Sequence, residues 1–235
     1  MQNSITFLRS LLFYIISILW TLVLSFGGIA AFIVNNKALI LEISKLWANG
    51  VIKLLDLICG LKVKIMGVEN IKKQPVIIAA KHQSALETLV IYSLLDEAKF
   101  VLKDSLRFIP ILGQFFIKLN MIFIDRKKPI KSLKQIKEKS SNLLVNGSSI
   151  IIFPEGTRTA YGSKGKYGPG IASLYELGYP VIPVAVNTGK YWARNSMLKG
   201  EGECFIKFLS PIMPDLSKDE FMDKLELAIE SNCTK

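Results

Sequence analysis

Between Arg9 and Lys37 the chain carries no charged side chain, and this run, SLLFYIISILWTLVLSFGGIAAFIVNN, is 27 residues long. As a helix it exceeds the ~20 residues needed to cross the hydrocarbon core of a bilayer. It is also longer than the apolar core of a secretory signal, so it reads as a retained membrane anchor. Gly27-Gly28 offers a point at which the helix can bend, and Asn35-Asn36 offers a turn after it.

A different pattern follows. Over residues 38–58, Glu42, Lys45, Asn49, Lys53 and Asp56 recur at steps of three and four. Leu39, Ile43, Leu46, Trp47, Val51, Leu54 and Ile58 fall on the other side, which makes an amphipathic helix with a wide apolar face. Residues 1–60 therefore read as a unit of membrane-anchoring helices. Three arrangements are open: a hairpin in one leaflet, a spanning helix beside an interfacial one, or a second helix packed on the domain core. If the first helix spans, the positive-inside rule puts the lysine-rich remainder on the cytoplasmic side of a cell membrane.

Composition agrees with one domain plus an attachment. The chain has 235 residues, 50% hydrophobic, with 30 Lys+Arg against 19 Asp+Glu and a net charge of +11. That is too apolar for a disordered chain, while 21% charged residues is too many for a polytopic transporter. Cys59, Cys204 and Cys233 are scattered, so they suggest neither a disulfide framework nor a zinc site, and they read as reduced thiols. With one histidine in the chain, any imidazole chemistry falls to His82.

Residues 61–235 alternate between short apolar runs and helical stretches. The runs lie at 62–67, 75–80, 99–103, 121–125, 149–153, 180–186 and 204–209; the helical stretches lie at 84–96, 106–118, 129–145, 169–178 and 217–230. This is an α/β pattern with a largely parallel central sheet flanked by helices. Pro129 and Gly147 bracket one helix, and Ser217-x-x-Glu220 is a capping box opening the last.

Two segments carry candidate chemistry. A strand ending at Ala80 runs into KHQSALET, which places His82 where α/β folds place active sites. On a continuous helix His82 and Glu87 would point about 140° apart. They meet only if His82 precedes the helix and Glu87 sits in its first turn, which Ser84-x-x-Glu87 supports as a capping box with Ser84 at the N-cap. The second segment is FPEGTR, after the strand at 149–153: Gly156 permits close backbone approach, Thr157 offers a hydroxyl, and Arg158 a fork for phosphate or carboxylate. A glycine-rich loop, YGSKGKYGPG, follows at 161–170.

Four segments in order, over residues 60–190, resemble the motifs of the glycerolipid acyltransferase family. His82-x4-Glu87 is similar to its His-x4-Asp motif, with Glu in place of Asp. Lys103-Asp104-Ser105-Leu106, then Pro110, Gly113 and Ile124-Asp125-Arg126, resembles the second, with Ser105 where the family often has Glu. Phe153–Arg158 matches the third, and Val181-Ile182-Pro183-Val184-Ala185 the fourth.

The resemblance implies acyl transfer from acyl-CoA or acyl carrier protein to the sn-2 hydroxyl of lysophosphatidic acid, giving phosphatidic acid in phospholipid biosynthesis. It implies that His82 is the general base and that Glu87 orients it. Lys103, Arg126 and Arg158 are its candidates for holding the phosphate, with Glu155, Gly156 and Thr157 in the same substrate-binding segment. It implies no metal and no bound cofactor. Transfer to glycerol-3-phosphate or a lyso-aminolipid, and non-catalytic lipid binding on the same fold, remain open alternatives.

The basic run Arg126, Lys127, Lys128, Lys131, Lys134, Lys137 and Lys139 reads as a solvated helix face, a surface for anionic membrane lipids, or a dock for an acidic carrier protein. Nucleic acid is not an expected partner, because no reading motif accompanies the charge.

Overall fold

A computed structural model describes residues 2–110 and 112–233. Helices α1 (Gln2–Ile33) and α2 (Lys37–Cys59) form an antiparallel hairpin. Asn35 takes a left-handed turn at φ 56°, and the Asn36 side chain caps α2 by accepting from the Leu39 amide at 3.0 Å. The expected bend at Gly27-Gly28 is not taken: α1 runs unbroken through both residues. Gly28 instead serves close approach, since a Cβ there would stand 2.9 Å from the Phe115 ring. Gly50 does the same in α2, where a Cβ would lie 2.3 Å from the Trp20 indole nitrogen.

Among the described residues, Ser4–Ile33 is the one helical stretch long and apolar enough to cross a membrane. It leaves large side chains uncovered, including Leu8, Val23, Phe26 and Ile33, each more than 60% exposed. Helix α2 has two loyalties. It packs along α1, with the Trp47 indole donating to Thr21 Oγ1 at 2.9 Å, and it buries Ile40, Ala48, Val51 and Leu55 against the domain.

Seven strands form one sheet in the order β1-β7-β6-β2-β5-β3-β4. They are β1 (Leu61–Met66), β2 (Ile77–Ala80), β3 (Ala98–Lys103), β4 (Ile122–Ile124), β5 (Ser149–Ile152), β6 (Val181–Val186) and β7 (Gly202–Phe208). Each expected apolar run supplies one strand. From β6 to β4 all neighbours are parallel; only β6–β7 is antiparallel, and β1 pairs parallel with β7. Strands β2, β5 and β6 are buried along their whole length, as continuous apolar runs require when helices cover both faces.

The covering helices are α3 (Leu86–Leu94), α4 (Leu112–Lys118), α5 (Pro129–Val145), α6 (Gly170–Tyr175) and α7 (Lys218–Glu230). The helix expected over 106–118 is divided into a 3-10 turn at Asp104–Phe108 and α4, with residue 111 outside the described residues. Pro110 explains the division, because it lacks an amide hydrogen and restricts the residue before it. Gly147 follows α5 at φ 82°, and the Ser217–Glu220 capping box opens α7 as the sequence predicts. Because β6, β2, β5, β3 and β4 run the same way, the segments after them emerge along one carboxyl edge.

Candidate active site

His82 lies two residues beyond β2, before α3 begins. Glu87 sits in the first turn of α3, and its carboxylate folds back over the junction. Its Oε1 accepts from the Gln83 amide at 2.8 Å and the Ser84 amide at 2.7 Å, and it faces His82 Nδ1 at 2.9 Å. Its Oε2 accepts from the Thr188 hydroxyl at 2.7 Å. Glu87 is fully buried. Facing an ionised carboxylate, which only accepts, a neutral imidazole carries its proton on Nδ1 and presents the Nε2 lone pair.

The expected capping box at Ser84 is half present. The N-cap is Ala85, and Ser84 Oγ accepts from Leu86 N at 3.3 Å rather than from Glu87 N. The Glu87 carboxylate satisfies the junction amides itself, which removes the need for a serine cap. The imidazole stacks on Phe153, the first residue of FPEGTR, with ring centres 3.9 Å apart and planes at 16°. That contact fixes the ring plane while leaving the side chain 15% exposed.

Beneath the histidine lies a buried ionic cluster. Lys81 Nζ donates to Glu155 Oε1 at 2.8 Å, Glu230 Oε1 at 2.8 Å and the Ser163 carbonyl at 2.9 Å. Burial alone would lower the Lys81 pKa, but its bonds to Glu155 and Glu230 outweigh this and raise it. Glu155 Oε1 also accepts from the Gly165 amide at 2.8 Å, and Oε2 from the His82 amide and Thr159 Oγ1 at 3.3 Å each. Tyr167 donates to Glu230 Oε1 at 3.0 Å, and its own pKa is pushed up by burial. Glu155 thus faces inward, 1% exposed, and binds the glycine-rich loop to the segment carrying His82. A Cβ at Gly165 would stand 2.7 Å from its Oε1, so that loop position requires glycine.

The candidate cations spread along the carboxyl edge. Arg158 follows β5, the direct neighbour of β2; Lys103 ends β3, one strand further; Arg126 follows β4, one further still. At ~4.8 Å per strand, β3 runs about 10 Å and β4 about 14 Å from β2. Arg158 is half-buried and Lys103 and Arg126 are exposed. Gly156 turns the chain at φ 66°, and Thr157 after it is exposed.

The sequence did not single out Lys81, Thr188, Arg194 or Glu230. Arg194 Nη1 donates to Thr157 Oγ1 and to the Arg158 carbonyl, both at 3.2 Å. An open cleft of about 640 Å³ beside α5 is lined by Asp104, Arg107, Asp125, Lys128, Lys131 and Lys134, and includes neither His82 nor Arg158. Within the basic run Lys134 pairs with Glu138 and Lys137 with Glu176. Among the described residues no group of three His, Cys, Asp or Glu side chains stands ready to hold a metal ion.

An imidazole locked by a buried carboxylate, at the carboxyl edge of a parallel sheet and next to an arginine-bearing loop, is an arrangement chemically able to take up a proton. The family of acyltransferases matches the chain over residues 62–187, and the chain belongs to it; the protein is an acyltransferase. A 1-acyl-sn-glycerol-3-phosphate acyltransferase of Pseudomonas aeruginosa is 33% identical over 213 residues, covering 86% of this chain and 79% of that protein. A protein of the same name from Saccharomyces cerevisiae is 31% identical over 181 residues, covering 73% of this chain and 59% of the yeast protein. The fold matches the crystal structure of the Thermotoga maritima 1-acyl-sn-glycerophosphate acyltransferase with a TM-score of 0.80 at 24% identity, over 98% of this chain and 95% of that one.

Proposed function

We propose that the protein transfers an acyl chain from acyl-CoA or acyl carrier protein to the sn-2 hydroxyl of lysophosphatidic acid, giving phosphatidic acid for phospholipid biosynthesis. The observation that carries this is the His82 imidazole, held through Nδ1 by buried Glu87 with Nε2 free. The names of the relatives support the acceptor.

His82 Nε2 takes the hydroxyl proton as the oxygen attacks the thioester carbonyl. The new C–O bond forms, the C–S bond breaks, and the proton passes from the imidazolium to the leaving thiolate. Glu87 stabilises the imidazolium while it exists and holds the ring in place. Arg158 and Lys103, with the Gly156-Thr157 turn, hold the phosphate by charge-assisted hydrogen bonds, with Arg126 at the far margin of the same edge. Glu155 serves the substrate loop by setting its backbone, since four donors already occupy its oxygens. Residues 1–60 anchor this machinery to a cell membrane and residues 61–235 form the catalytic domain on the cytoplasmic side.

The test is an acceptor panel with full-length protein: labelled acyl-CoA and acyl carrier protein against lysophosphatidic acid, glycerol-3-phosphate, a lyso-aminolipid and monoacylglycerol. Transfer to lysophosphatidic acid is expected, and His82→Ala should lose it while still floating with vesicles. Transfer only to a phosphate-free acceptor would remove Lys103 and Arg158 from their roles. No transfer to any acceptor would leave a lipid-binding protein.

A further inference from the structure

The loop between β6 and β7 is pinned at both ends. At its start, the Thr188 hydroxyl bonds Glu87 Oε2 at 2.7 Å and the Gly189 amide donates to Gln83 Oε1 at 3.1 Å. At its far end Lys199 is buried against α1. Its ammonium donates to the Tyr14 hydroxyl at 2.6 Å and the Met197 carbonyl at 3.0 Å, lies 4.5 Å from both the Tyr14 and Trp192 rings, and its amide donates to Ser10 Oγ at 2.9 Å. Between these fixed ends is Arg194, followed by Asn195 in a left-handed turn at φ 60°. The tip of the loop is therefore placed, although its side chains are exposed.

Arg194 lies across the third motif through two hydrogen bonds from Nη1, to Thr157 Oγ1 and the Arg158 carbonyl. A guanidinium has five N–H donors in a rigid fork. Among the described residues, Nε and Nη2 of Arg194 have no partner and the Arg158 guanidinium has none. Thr157, whose oxygen accepts from Arg194, keeps its own proton to donate. Thr157 and Arg158 are consecutive in the chain beside the histidine segment, and the Arg194 side chain reaches both, so two forks and a hydroxyl belong to one stretch of surface. Their combined charge and donor count suit a dianion with three terminal oxygens, a phosphomonoester, better than a monoanionic diester with two.

We propose that Arg194 is a second arginine of the acceptor's phosphate site, acting together with Arg158 and Thr157. This rests on the acceptor's carrying a phosphate. The test uses full-length Arg194→Ala, Arg194→Lys and Arg158→Ala proteins, with sn-glycerol 3-phosphate as a competitor of lysophosphatidic acid. Arg194→Ala should raise the KM for lysophosphatidic acid and the Ki for glycerol 3-phosphate together, about tenfold or more. The kcat and the KM for the acyl donor should stay near wild type, and Arg194→Lys should restore part of the loss.

Unchanged KM and Ki, or a fall in kcat alone, would make Arg194 a strut for the loop and overturn the proposal. Arg158→Ala separates the two levels. If it raises Ki and Arg194→Ala does not, only the assignment of Arg194 fails; if neither raises Ki, the phosphate reading fails with it.

Discussion

Glu87 accepts bonds from two backbone amides, a hydroxyl and an imidazole with one side chain. The extra methylene relative to aspartate lets the carboxylate reach back from the first turn of α3 to the residues before the helix. Glu87→Asp should withdraw it by more than an ångström and lower kcat by on the order of 100-fold, since misplacements of that size are costly. Glu87→Gln should cost more, on the order of 10⁴-fold, because an amide cannot accept on both of its ends and favours the wrong imidazole tautomer. Steady-state kinetics decides; an unchanged kcat would reduce Glu87 to a helix cap. The pairing of His82 with Glu87 was legible in sequence because five residues and a helix start suffice to constrain it. Thr188 was not, because it reaches Glu87 from 101 residues away with no local signal of its own.

At the scale of elements, the alternation of short runs with helical stretches was enough to find every strand, and it was plainest for β2, β5 and β6, where burial on both faces leaves a continuous apolar imprint. The strand order was not readable, because parallel neighbours are joined by crossovers and nothing local encodes which pair. The helix expected over 106–118 divides because Pro110, which belongs to the second motif, also breaks the helix. The join between β2 and α7 is the least legible feature. Lys81 is 1% exposed and Glu230 22%, so removing Glu230 leaves a buried ammonium with one carboxylate instead of two. Glu230→Ala should destabilise the protein by on the order of 3 kcal/mol. It should also lower kcat more than it changes KM, because the cluster supports the histidine segment. Denaturation midpoints and kinetics on the same preparation check both effects.

At the scale of the molecule, helix α1 and the sheet-bearing part of the chain are joined by specific contacts as well as by chain connectivity. Arg9 pairs with Glu201, Phe115 fills the space at Gly28, and Lys199 is held against α1. Burial lowers the Lys199 pKa to about 8, against ~10.4 for an unfolded lysine. Between those values the unfolded state binds more protons, so this residue makes stability rise with pH through the window. Below the window both states carry the proton, and the folded state bears the full cost of the buried charge. The Tm of wild type relative to Lys199→Met should therefore climb between pH 7.5 and 9.5; a flat difference would mean that the aromatic rings compensate the charge fully. The apolar helix α1 was legible from its missing charges, whereas these ties were not, because each joins α1 to a residue far along the chain.

The ionic cluster also sets an order of events during translation. Glu230 is made 149 residues after Lys81, while α1 is complete before either. In a nascent chain α1 is thus complete long before the lysine beside His82 meets its second carboxylate. Ribosomes that stall short of residue 230 would release chains that have the whole apolar hairpin but lack part of the support beneath His82.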